Sequence, residues 1–212
     1  MGIIKKGIMS GFSGKVGNVV GGNWKGIDYM RSLPSRSDFT PTQKQIEQQL
    51  KFALIARFQQ PLSNLFAITF RNYAVKQTGA NAGMSYNLKN AVTGTYPSFT
   101  VDYQNALVSR GDMPNALNPA AVAAVDGIVN FTWTNNAGAG KALGTDQSVL
   151  VGYCPEMRSA IYTNVGPARS LEAASLDLSA FLGKQVQTWL GFVSLSGKEV
   201  ATSAFTGAVT VL

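Results

Sequence analysis

Ile128-Val129-Asn130-Phe131-Thr132-Trp133-Thr134 is the stretch that decides the fold. It reads as a strand holding two large aromatics, Phe131 and Trp133, and it belongs to a series of short apolar segments at fairly regular spacing. Residues 149–154 follow a polar, glycine-rich loop, residues 160–163 are a short segment, and residues 173–178 alternate. Residues 186–194 carry Trp189 and Phe192, after which Ser196-Gly197-Lys198 turns the chain into residues 200–211. Short strands bounded by turn residues are the pattern of a β-sandwich. The pattern predicts a sandwich domain over residues 113–212.

Working back from the sandwich, residues 98–103 alternate and predict a strand continuing toward Leu107-Val108. Thr40-Pro41 predicts a helix start, a hydroxyl cap followed by proline in the first turn. Ile46, Leu50, Ala53, Leu54 and Phe58 follow at helical spacing, and Pro61 breaks that helix. Leu62, Leu65, Phe66 and Phe70 predict a second, shorter helix, and residues 79–90 a third. Residues 39–112 therefore form a helical and strand region, preceded by a polar linker at residues 32–38.

Residues 1–38 read as a glycine-rich basic arm ending in a hairpin. Its strands, residues 15–20 and 24–31, flank Gly21-Gly22-Asn23 as the turn. Gly11, Gly14 and Gly17 recur every third residue, a spacing that suits positive φ or close backbone approach. Trp24 and Tyr29 stand five residues apart, which on one strand places them on opposite faces and one of them in a core. The predicted fold class is mixed and mainly β: the arm and hairpin, short helices, then a fibronectin type III/Ig-like β-sandwich.

Charge is segregated. Residues 1–110 hold 13 Lys/Arg against 4 Asp/Glu, and residues 111–212 hold 5 against 7. Basic charge on one half suits an anionic partner or the mildly acidic half of a second copy. The chain contains no histidine, which excludes histidine-based nucleophilic catalysis and histidine-ligated metal sites. The lone Cys154 lies in an apolar run and reads as an inert buried thiol. Asp146, Glu156 and Glu172 fall beside predicted loops and read as solvated. The glycine run lacks both the G-x-G-x-x-G and the P-loop patterns. No catalytic residue, cofactor or metal site is expected, and no small-molecule substrate. No apolar run is long enough for a membrane span or a secretory signal peptide, so a virion or cytoplasmic location is expected, and an extracellular one only by a non-Sec route.

Phe12-Ser13-Gly14-Lys15-Val16-Gly17-Asn18-Val19-Val20-Gly21, with Trp24-Lys25-Gly26 and Met30-Arg31-Ser32, resembles the opening of a family of unknown function found in Bacteroidota and reported in some phages. Ser85-Tyr86-Asn87-Leu88-Lys89-Asn90-Ala91, Pro97, Phe99, Asp102-Tyr103 and Ser109-Arg110-Gly111 resemble its middle. That family brings no activity to carry over. The Trp133 strand, Leu176-Asp177-Leu178 before Gly183-Lys184, and the Trp189 strand ending at Ser196-Gly197-Lys198-Glu199 resemble a fibronectin type III module. The resemblance implies that Trp133 fills the sandwich core and that Trp189 packs beside it, where tyrosine is usual.

Two functions follow as expectations. The first is a non-enzymatic structural protein that self-assembles into a homomeric particle or filament. Its subunit contacts would come from Gly11, Phe12, Gly14, Lys15, Gly17, Trp24, Lys25 and Arg31. The alternative is a nucleic-acid-binding module, because basic residues interleaved with aromatics neutralise phosphates and stack on bases.

Overall fold

A computed structural model describes residues 2–4, 11–33 and 40–212. The chain divides into two compact units, Met1–Thr42 and Gln43–Leu212. The first is an antiparallel sheet of β1 (Ile3–Ile4), β2 (Phe12–Val16), β3 (Val19–Trp24) and β4 (Ile27–Ser32), ordered β1-β2-β3-β4. The predicted linker falls largely on residues 34–39, outside the described residues.

The turns of this sheet differ from the expected one. Gly21-Gly22-Asn23 runs straight through β3, and the chain reverses at Gly17-Asn18 and at Lys25-Gly26. Lys25 and Gly26 take φ of 50° and 85°, the pair of positive values a two-residue type I′ hairpin requires. Asn23 secures that turn, its Oδ1 accepting from Gly26 N at 3.1 Å while its Nδ2 donates to Asp28 Oδ1 at 2.6 Å. The glycine pair serves close approach instead. A Cβ on Gly21 would collide with the carbonyl and ring of Phe12, and one on Gly22 would sit 2.9 Å from the Tyr29 hydroxyl.

The second unit opens with α1 (Gln43–Gln59), α2 (Ser63–Thr69) and α3 (Gly79–Asn90), with a short 3-10 turn over Gln60–Leu62 at Pro61. Thr78 caps α3, its Oγ1 accepting from Asn81 N. The buried side of α1 is Ile55, Phe58 and Gln59, while Leu50 of the predicted stripe is exposed. A hairpin follows, β5 (Val92–Thr95) and β6 (Ser98–Val101). It stops short of Leu107-Val108 because Asp102 makes a turn, accepting from the amides of Gln104 and Asn105.

The sandwich comprises β7 (Leu117–Ala123), β8 (Ile128–Thr134), β9 (Gln147–Cys154), β10 (Ser159–Thr163), β11 (Ala173–Asp177), β12 (Gln185–Val193) and β13 (Ala204–Thr210). One sheet is ordered β11-β8-β7 and the other β10-β9-β12-β13, a three-on-four arrangement of the fibronectin type III kind.

Two cores share β9 and β12. Between the sheets lie Phe131, Trp133, Leu150, Cys154, Val186, Leu190 and Phe192. On the other face Val149, Val151, Tyr153, Trp189 and Val193 pack against Phe58, Leu62, Leu65, Phe66 and Phe70 of the helical region. Strands buried on both faces lose their polar alternation, and β9 and β12 are buried almost throughout. The helical region and the sandwich, read from the sequence as separate segments, therefore share a core within one unit.

Trp189 corrects an expectation. It lies on the helical side of β12, with its Nε1 donating to Ala106 O at 3.0 Å and its ring near Phe58 and Phe205. The residue beside Trp133 is Phe192, ring centroids 5.4 Å apart. Trp189 and Phe192 are three apart on one strand and so point to opposite sides.

Candidate functional site

The N-terminal sheet has two faces, and register assigns each residue to one of them. Directly paired residues share a face in an antiparallel sheet. Lys15 pairs with Val20 and Val20 with Arg31, Gly22 with Tyr29, and Trp24 with Ile27. One face therefore presents Lys15, Val20, Trp24, Ile27, Tyr29 and Arg31. The other presents Val16 beside Val19, Gly14 beside Gly21 and Met30, and Asn23 beside Asp28. Phe12, two residues before Gly14, belongs to this second face and covers Gly21.

Most of these side chains are exposed, with Phe12 and Val20 half-buried. Trp24 is 55% exposed, Ile27 57%, Tyr29 47%, Met30 71% and Val16 53%. Gly21 is buried, alone among the residues of this unit whose exposure is described. Neither Trp24 nor Tyr29 is in a core, and they share a face because the Lys25-Gly26 turn puts them on different strands.

The structure brings most of the expected contact residues into this sheet, in roles that differ. Gly11 precedes β2, close to the Asp28 carboxylate. Gly14 sits within β2 at φ 101°, and Gly17 at φ 57° opens the first turn with nothing near its Cβ position. Lys15, Trp24, Lys25 and Arg31 lie on the aromatic face or its turn. Val16, Val19, Ile27 and Met30 were missed, although their alternation was visible once the Lys25-Gly26 turn was recognised.

A second cluster lies inside the sandwich. Asp146, expected to be solvated, is buried and faces the buried Arg169, Nε to Oδ2 3.4 Å, without hydrogen-bond geometry. The guanidinium donates to Asn136 Oδ1 at 2.7 Å and Pro114 O at 3.0 Å, and stands 4.0 Å from the centre of the Phe192 ring. Asp146 Oδ2 accepts from Leu143 N, and Arg169 O accepts from Trp133 Nε1. Burial pushes the Arg169 pKa down and the Asp146 charge offsets it. Arg169 Nη1 and Nη2 and Trp133 Nε1 are committed to holding loops on the sandwich, so the role of the cluster is structural. Among the described residues no group of three or more Cys, Asp or Glu could hold a metal ion.

No helix of the described residues is long and apolar enough to cross a membrane. No curated protein matches the chain. Among solved structures, the fn3 domain of the human collagen alpha-1(XX) chain is similar at 13% identity, over 49% of this chain and 90% of that one, with a TM-score of 0.35. Strand order, rather than that likeness, identifies the sandwich. Residues 11–207 match the model of a family of unknown function, DUF6266, and the chain belongs to that family.

Proposed function

We propose that the protein is a non-enzymatic structural subunit whose copies assemble, as a particle or filament, through the N-terminal sheet. One observation carries the reading: among the described residues no buried apolar side chain lies in the first unit, yet that unit holds a four-stranded sheet with apolar residues on both faces. A sheet draws independent stability from a hydrophobic face or from packing against another element, and exposed apolar patches mark interaction surfaces. The Phe12, Val16, Val19 and Met30 face is the docking surface, and the occupant is a second copy of the chain. This face offers an apolar contact; the cations Lys15 and Arg31 stand on the opposite face, which the mildly acidic half of a copy complements. Electron microscopy of the purified full chain tests this: regular particles or filaments support it, and dispersed single chains at high concentration overturn it.

A second reading has its own support. Trp24 and Tyr29 lie on the same face as Lys15 and Arg31, so stacking platforms and phosphate-neutralising cations stand side by side. That face suits single-stranded nucleic acid. Its signature is a mobility shift with an oligonucleotide that weakens by roughly tenfold or more between low and moderate salt; a shift that ignores salt counts against it.

A further inference from the structure

Arg110 is held between two tyrosines. Its guanidinium carbon lies 4.2 Å from the centre of the Tyr73 ring and 4.9 Å from that of Tyr86. Stacking on ring faces leaves the edge of the guanidinium, with its fork of N–H donors, as the part that hydrogen-bonds; the Tyr73 hydroxyl engages part of that fork. No carboxylate lies within ion-pair distance of it among the described residues. Asp112, the nearest acid in sequence, accepts the Tyr73 hydroxyl at 2.7 Å.

This arginine borders a cleft of about 380 Å3 lined by Gln77, Ala82, Ser85, Tyr86, Lys89, Asn90 and Arg110. Ala82, Ser85, Tyr86 and Lys89 recur at helical spacing, so one side of α3 forms a wall. Asn90 Nδ2 donates to Tyr86 O, which leaves its amide oxygen for a ligand. Two cations and no acid line the cleft, with hydroxyl and amide groups between them. Its size suits a small molecule.

We infer that this cleft is a binding site for the oxyanion of a small polar ligand, a phosphate or a carboxylate. Arg110 takes it through paired N–H donors, Lys89 adds charge, and Ser85, Gln77 and Asn90 bond the remainder. A planar fork fixed in place loses little freedom on binding, which is why its presentation between two rings matters. The sequence reading expected no small-molecule substrate; Ser85-Tyr86 and Ser109-Arg110 were read there only as marks of a family, because the packing of Arg110 against Tyr73 and Tyr86 is a tertiary contact. Every residue lining the site belongs to the second unit.

The test is an NMR titration of the full chain with inorganic phosphate and, separately, with succinate at matched ionic strength. The expected result is saturable shifts of the Ser85, Lys89 and Arg110 amides. Saturation by phosphate alone assigns a phosphate ligand, and by succinate alone a carboxylate. Arg110→Lys keeps the charge but loses the fork, and affinity drops on the order of tenfold. Lys89→Met, at an exposed position, weakens binding severalfold and decides the matter if Arg110→Lys fails to fold. Absence of saturable shifts with both anions, or affinity unchanged in a folded variant of either residue, overturns the assignment.

Discussion

Asp146 and Arg169 form an ion pair wholly inside the sandwich unit, Oδ2 to Nε 3.4 Å, with the guanidinium also lying against Phe192. The two residues are joined through the backbone as well, Arg169 N donating to Asp146 O at 2.8 Å. Removing one partner leaves an uncompensated buried charge. Asp146→Ala is expected to lower stability by about 3–5 kcal/mol, and Asp146→Asn by less, because an amide oxygen can still accept from Leu143 N. Urea unfolding curves of the two variants check the order.

Trp133 and Trp189 anchor different cores. Truncating either to alanine is expected to cost about 3–5 kcal/mol, but the local consequences separate. Trp189→Ala removes the contact with Phe58 and should speed amide exchange in α1. Trp133→Ala releases Arg169 O and should speed exchange around residues 135–146. Exchange mass spectrometry distinguishes the patterns; equal loosening of both regions by both variants contradicts the two-core description.

Alkaline pH should destabilise the second unit through Tyr103. Burial pushes its hydroxyl pKa from 10.0 up to about 12, with Tyr153 and Cys154 adding to the rise. Below pH 10 both folded and unfolded chains keep the proton, and its contribution is full. Between pH 10 and 12 the unfolded chain releases the proton first, so stability falls. The denaturant midpoint of Tyr103→Phe should decline less steeply across that window than that of the parent chain.

Gly21→Val should break the N-terminal sheet alone. The added side chain meets the backbone carbonyl of Phe12, which cannot move as a side chain could. Exchange protection over residues 12–32 is expected to fall while residues 43–212 unfold as before. Gly17→Val acts differently, by straining a positive-φ turn with open space around it.

The strands of the sandwich and the third helix were legible in the sequence because turn residues and apolar runs are local signals. Trp189 was misplaced because β12 is buried on both faces, and alternation cannot tell two cores apart. The hairpin turn was misplaced because Gly21 and Gly22 lie where Phe12 and Tyr29 cross them, a tertiary need that looks like a turn in one dimension. Asp146 was read as solvated because its partner, Arg169, lies 23 residues away across an intervening hairpin. Trp24 and Tyr29 came together through Lys25-Gly26, whose positive φ at a lysine has no strong sequence mark.

Light scattering on the eluting full-length chain, across a range of concentrations, addresses self-assembly most directly. The account predicts a mass of several subunits, falling to one subunit when Val19→Lys and Met30→Lys place charge on the Phe12 face. A parent chain that elutes as a single subunit at every concentration, or variants that assemble as the parent does, would contradict it.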